Sequence, residues 1–159
     1  MNWLHVIFWG FVATMILTTL MSASQGLGLS RMNLPYMLGS MITPDRDKAK
    51  LAGFGIHLLF GWAFSFLYGV GFDILGGPTW WKGLVFGFVH AAFVLVVGLS
   101  LVPSMHPRMA SEQQGPTITR RLEPPGFLGL HYGYQTPLSM LVAHLVFGAL
   151  LGALLKTAV

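Results

Sequence analysis

Two histidines sit in the same short pattern. His57 is followed by Gly61 and His144 by Gly148, so each imidazole has a glycine one helical turn away on its own face. An imidazole can ligate iron, and a glycine beside it leaves room for a large planar ring. His57 and His144, facing inward at one depth with Gly61 and Gly148 beside them, could hold a haem b iron from both sides. They could instead form half of a metal site. The structural alternative has each imidazole donating to a carbonyl on a neighbouring helix, with the glycines admitting that helix closely, because polar groups within apolar bundles often join helices. His90 lacks a matched partner, which favours the same joining role for it.

A second set lies outside the apolar runs. Met105, His106 and Met109 place two thioethers and an imidazole close together, the soft donors that suit Cu(I). Pro107 interrupts them, and the alternative is a Met-rich patch in which methionine acts as filler. Arg108, Arg120 and Arg121 could hold lipid phosphates or a partner, since basic side chains at a membrane surface attract anionic headgroups. Glu112 and Glu123 stand in basic surroundings as loop charges. The chain has no nucleophile–base pair, phosphate loop or paired carboxylates, so no catalytic set is expected.

The elements that must carry these residues are apolar. Of 159 residues, 54% are hydrophobic and 9% charged, with a mean hydropathy of +0.67. Average domains are about 25% charged. A soluble globular fold and intrinsic disorder are both excluded on that ground. With no Cys, the chain offers neither disulfide nor thiolate. A formal charge of +4, scattered between apolar blocks, makes nucleic acid an unsuitable partner.

Residues 1–30, 51–72, 83–107 and 124–155 contain no Asp, Glu, Lys or Arg. Each run holds an apolar core long enough to cross a hydrocarbon layer, which takes about 20 helical residues. Strict alternation, the mark of a membrane β-barrel, is missing. The spacing predicts an all-α integral membrane four-helix bundle, a single domain with helices at about 3–21, 44–71, 82–103 and 137–156. The first run is too long for a signal core and has no basic residue before it, so it is read as a retained helix. Because carriers of ions and charged substrates usually keep an ionisable group inside the membrane, the four charge-free runs argue against a charged cargo.

Lys and Arg counts set the orientation. Connections 22–43 and 104–136, with the first residues of the second span, carry Arg31, Arg46, Lys48, Lys50, Arg108, Arg120 and Arg121, against Lys82 and Lys156 opposite. That excess puts both connections in the cytoplasm and both termini outside. Leu34, Met37, Leu38 and Met41 fall on one face of a short helix, capped by Asn33 with Pro35 in its first turn. Too short to span, it is expected to lie in the inner interface, turning Met37 and Met41 toward lipid or a partner. Thr43-Pro44-Asp45 reads as the start of the second span, with Thr43 as cap. The 104–136 connection has four prolines and no helical period, so either the bundle or another protein must hold it down.

The halves echo one another. Pro35–Gly39 matches Pro125–Gly129, Thr43-Pro44 matches Thr136-Pro137, His57–Gly61 matches His144–Gly148, and Gly10-Phe11-Val12 matches Gly87-Phe88-Val89. Two helices per repeat would make the halves parallel. Gly83, Gly87 and Ala91, like Gly148 and Gly152, recur every four residues, a spacing that lets helix backbones approach closely.

Leu34-Pro35-Tyr36-Met37-Leu38-Gly39 after the first span, with the His-x-x-x-Gly of the second, resembles small bacterial four-helix integral membrane proteins. The resemblance covers most of the chain and implies a bacterial inner-membrane protein; it carries no catalytic residue over. The expected role is an accessory or scaffolding subunit of a larger, energy-transducing membrane complex, with the lipid bilayer and other membrane subunits as partners. The alternatives are a haem b electron carrier using His57 and His144, and a channel or carrier for a small neutral solute.

Overall fold

The structure, a computed structural model, describes residues 2–111 and 114–155. Glu112 and Lys156, named above as a loop charge and an outer cation, lie outside the described residues. The described residues form six α-helices in order: α1 (Trp3–Gly26), α2 (Leu34–Gly39), α3 (Arg46–Ile74), α4 (Trp80–Phe93), α5 (Leu99–Met105) and α6 (Thr136–Leu154). A π-helical turn, Val94–Gly98, joins α4 to α5, and a 3-10 turn, Phe127–Tyr132, precedes α6. The described chain has no strand beyond one isolated bridge, Met109 to Leu122. Trp3–Gly26, Arg46–Ile74, Trp80–Met105 and Thr136–Leu154 are each long and apolar enough to cross a membrane. The shortest has 19 residues and rises about 28 Å, close to a hydrocarbon thickness.

The helix starts follow capping chemistry. Asn2 accepts from the Leu4 amide, Asn33 from Tyr36, and Thr79 from Lys82. At α3 the cap is Asp45 rather than the expected Thr43. Its carboxylate accepts from the amides of Asp47 and Lys48 at 3.1 and 2.9 Å, while Thr43 Oγ1 only reaches the Asp45 amide at 3.3 Å. A charged acceptor facing two free amides at the positive helix end outcompetes a hydroxyl.

Small residues decide which helices meet. α4 lies along α6, and a Cβ on Gly83 would stand 2.0 Å from the Gly148 carbonyl oxygen. α1 packs on both α3 and α6. Trp62 Nε1 donates to the Ile7 carbonyl at 2.9 Å across the α1–α3 contact, and Ser24 Oγ to Ser139 Oγ at 2.7 Å across α1–α6. α3 and α4, joined by a short turn, barely approach through their backbones. Rings separate them: Phe72 stacks on Phe86 at 5.1 Å, and Tyr68 sets its edge against both and against Phe147.

The short helix does not lie with its Leu and Met face in lipid. It is clamped against the start of α3, where a Cβ on Gly39 would meet the Ala49 carbonyl and one on Gly53 the Pro35 carbonyl. Met37 and Leu38 are buried. The paired glycines let the two backbones touch, which turns the apolar face onto the protein.

The long connection is held by the chain itself. Ala110 donates to the Leu122 carbonyl and Leu122 to that of Arg108, closing a small loop over buried Met109. Arg31 donates to the His131 carbonyl through its side chain and to that of Tyr132 through its amide. The 3-10 turn was not anticipated: Leu128 and Gly129 both adopt left-handed backbone there, at φ 54° and 76°. Gly129 seats against Leu99, Met32 and Thr136, a crowded spot that no helical period signals.

Candidate functional site: a lateral cavity with three imidazoles

Where the aromatic filling between α3 and α4 ends, a cavity of about 340 Å³ opens. Its back wall is Thr14 and Leu17 of α1 with Met140, His144 and Phe147 of α6. Its sides come from α3 and from the α4–π–α5 segment, and α2 closes one end through Leu34, Met37, Leu38 and Met41. The exposed lining residues, Phe60 on α3 with Phe93 and Leu101 opposite, place the mouth sideways between two spanning helices. In a bundle whose helices cross a membrane, an opening between two of them faces acyl chains rather than water. The walls are almost wholly apolar, and the size falls in the usual range for small-molecule sites.

The π turn shapes one wall. Leu99 donates to the carbonyl of Val94, five residues back, so one extra residue enters the turn. Each residue in a helix advances about 100°, so the insertion turns the following face by roughly that angle. Gly98, Leu99 and Val102, which follow the insertion, line the cavity together with Val94 at its start. Such turns recur at functional sites.

His57, His90 and His144 converge on this space. The Thr18 hydroxyl donates its proton to the Thr14 carbonyl at 2.7 Å. It must therefore accept from His57 Nδ1–H at 2.9 Å, leaving the lone pair of that imidazole on Nε2. His144 Nδ1–H donates to the Met140 carbonyl at 2.7 Å, again leaving a lone pair on Nε2. His90 Nδ1 lies 3.3 Å from the Tyr68 hydroxyl. Tyr68 has no other acceptor among the described residues, so the tautomer that satisfies its hydroxyl is the one with the His90 proton on Nε2 and Nδ1 accepting. His90 stacks on Phe64 at 3.6 Å and meets the His144 ring edge-on at 4.6 Å.

None of the three Nε2 atoms has a hydrogen-bond partner among the described residues. Among the described residues His5 Nδ1 is the one side-chain nitrogen or oxygen both sealed from the surface and unpartnered. The three Nε2 atoms are therefore not sealed off, and the three residues that carry them all line the cavity. Its inner end presents two acceptors, His57 and His144, and one donor, His90, with no formal charge. No group of three or more His, Cys, Asp or Glu among the described residues is placed to hold a metal ion.

The other expected residues fall as follows. Gly61 lines the cavity, and a Cβ there would strike Thr14 of α1 at 2.0 Å. Gly148 does not line it; it faces Gly83, so its role is the α4–α6 approach rather than space for a ligand. Met105 is exposed at the cavity rim, whereas Met109 is buried under the connection. His106 is buried with both ring nitrogens engaged: Nε2–H donates to the Met37 carbonyl at 2.9 Å and Nδ1 accepts from the Arg108 amide at 3.0 Å. No lone pair is left there for copper. Burial holds the His106 pKa below the ordinary imidazole range; the Met37 carbonyl pulls it up, and Arg108 adds to the lowering. Arg108 Nη1 donates to the Ser40 carbonyl at 2.5 Å, drawing the guanidinium onto the protein rather than to lipid. Arg120 and Arg121 stay on the 104–136 connection, where Arg121 Nε donates to the Ile118 carbonyl at 2.7 Å. Met37 is buried and Met41 half-buried, both facing the cavity, because α2 turns inward.

Sequence reasoning missed Tyr68 and Phe64 and undervalued His90. Tyr68 and Phe64 lie one turn apart on α3, at i and i+4, and His90 lies on the next span; only a placed pair of helices brings the three together.

The fold and its cavity mark a multi-pass membrane protein with four helices able to cross the bilayer. No protein-family model, curated protein or solved structure matches the chain.

Proposed function

We propose that this protein is an accessory subunit of a larger, energy-transducing complex in a bacterial inner membrane, and that its contribution is to hold a lipid-soluble ligand with a hydroxyl-bearing head, of the quinol class. The observation that carries this is the inner end of the lateral cavity: two imidazole lone pairs and one imidazole N–H at the end of an apolar chamber. A phenolic O–H can donate to His57 or His144, and its oxygen can accept from His90, while the apolar body fills the chamber and leaves through the mouth into lipid. An ion would find no charge to meet it.

The finer architecture belongs to the same proposal: a four-helix bundle of two parallel repeats, α1–α3 and α4–α6, with both long connections cytoplasmic. It is supported by the antiparallel register inside each pair, Thr14 to Gly61 and Thr18 to His57 in one and Gly83 to Gly148 and Gly87 to His144 in the other, and by the Lys and Arg excess of the connections. The repeats join through α1 and α6; the equivalent α3–α4 approach is splayed, and the cavity occupies that break.

Extraction of the full chain in mild detergent tests both parts. The extract should contain a quinol-class lipid near one per chain, lost in His90→Leu and His144→Leu, and native gels should show a larger assembly. A ligand-free extract identical in wild type and variants would sink the ligand, and migration only as a free small chain would sink the complex.

Haem b between His57 and His144 is the second reading. It is favoured by the Nδ1 anchors on Thr18 and Met140, since imidazoles that bind iron commonly donate their other N–H to protein. A preparation lacking a Soret band after haem supplementation removes it.

A further inference from the structure

A second cavity lies on the connection face, separated from the first by α2, and Met37 lines both. It is an open pocket of about 250 Å³ between the end of α1, the linker to α2, the first turns of α3 and the folded connection. Its character is opposite to that of the apolar chamber. Arg31, Arg46 and Lys50 bring three cations to one concavity, and Gln25, Asn33 and Tyr36 bring neutral polar groups.

The carboxylates nearby do not cancel that charge. Arg31 meets Glu123 at 3.4 Å, both well exposed, and Lys50 meets Asp47 only at 3.9 Å with the acid almost fully in solvent. Arg46 pairs with no carboxylate among the described residues. The third acid nearby, Asp45, is occupied as the α3 cap, accepting from the amides of Asp47 and Lys48. Asn33 is committed, its Oδ1 to the Tyr36 amide and its Nδ2 to Gln25 Oε1, which leaves the Gln25 amide N–H₂ as a further donor. The Tyr132 hydroxyl donates to the Glu123 carbonyl at 2.6 Å, and burial together with Glu123 pushes its pKa up to about 12, so it adds no negative charge.

We infer that this pocket binds a phosphate ester, with the guanidinium groups of Arg31 and Arg46 and the ammonium of Lys50 holding its oxygens. Guanidinium groups suit phosphate because their parallel N–H donors match two oxygens at once. The pocket stands where α1 ends and α3 begins, at the edge of two membrane-spanning segments, the level at which phospholipid headgroups lie. A soluble phosphate ester presents the same oxygens. Occupancy would brace α2 from behind and so set the wall of the apolar cavity that α2 closes.

Native mass spectrometry of the full chain in detergent tests this, with phosphatidylglycerol, phosphatidylcholine or inorganic phosphate added in separate arms. Wild type should retain phosphatidylglycerol well above phosphatidylcholine, and Arg46→Gln with Lys50→Gln should weaken that by about 30-fold. Retention of inorganic phosphate, lost in the same double variant, would assign the pocket to a soluble ester instead and still support it. Arg46→Lys with Lys50→Arg should restore most of the binding, which separates charge from misfolding. Equal loss in Arg120→Gln with Arg121→Gln would overturn the inference, because it would make the effect one of general surface charge. Equal retention of both lipids, or a double variant that binds like wild type, would overturn it as well.

Discussion

At the scale of single residues, hydrogen bonds set which atom of each imidazole is available. Tyr68 donates to His90 and so keeps the His90 proton on Nε2. Tyr68→Phe preserves the ring packing against Phe72, Phe86 and Phe147 but removes that control. Loss of one such bond is worth about 1 kcal/mol. Ligand retention, read by extraction and chromatography, should fall about fivefold with no change in helicity; unaltered retention would remove His90 as the donor. His106 gives a pH dependence of known sign. Its pKa in the fold lies below the unfolded value of 6.5. Its contribution is therefore full above that value, declines as pH falls beneath it, and is gone once pH drops through the folded value. Protonation would set a new N–H at Nδ1 against the Arg108 amide. A nitroxide at Ser111→Cys should become more mobile between pH 7.5 and 5 in roughly that order, and His106→Gln should abolish the step.

At the scale of elements, two glycine contacts hold the arrangement. Gly39 and Gly53 let α2 lie on α3, and Gly83 and Gly148 let α4 lie on α6. Gly53→Ala would drive a methyl into the Pro35 carbonyl, and backbone cannot give way as a side chain can. Overpacking of this kind costs about 1–3 kcal/mol. In a detergent unfolding series the variant should lose stability in that range. It should also expose Met37, detected as faster oxidation to the sulfoxide; slow oxidation would show that α2 stays in place. The π turn invites a sharper test. Deleting Val97 would return Val94–Gly98 to α-helical spacing and turn α5 away from the cavity. Ligand retention should then fall at least as far as in the histidine variants while the spans still insert.

At the scale of the whole molecule, charge distribution and apolar length act together. Arg31, Arg46, Lys48, Lys50, Arg108, Arg120 and Arg121 share the connection side, and the chain has no Cys. Single cysteines placed at Asn2 and Thr117 therefore report without background. In intact cells a membrane-impermeant maleimide should label Asn2→Cys and spare Thr117→Cys until the membrane is opened. The reverse pattern would invert the topology, although the cavity would be unaffected because it opens within the spans.

The sequence alone determined the solvent, the number and approximate place of the spans, the Asn33 cap and the small-residue faces. Each follows from local composition or short spacing, which the 3.6-residue helical period converts directly into a face. His57 and His144 were legible as a pair because a repeated pattern marks them. Tertiary structure decided the rest. Which glycine face meets which helix, the inward turn of α2, the convergence of His90 with Tyr68 and the clustering of Arg31, Arg46 and Lys50 all join residues far apart in the chain. The lateral cavity was the least legible of all. It exists because aromatic rings prop α3 away from α4 at one end while α1 and α6 stay closed, and a space left between helices has no residue of its own to announce it.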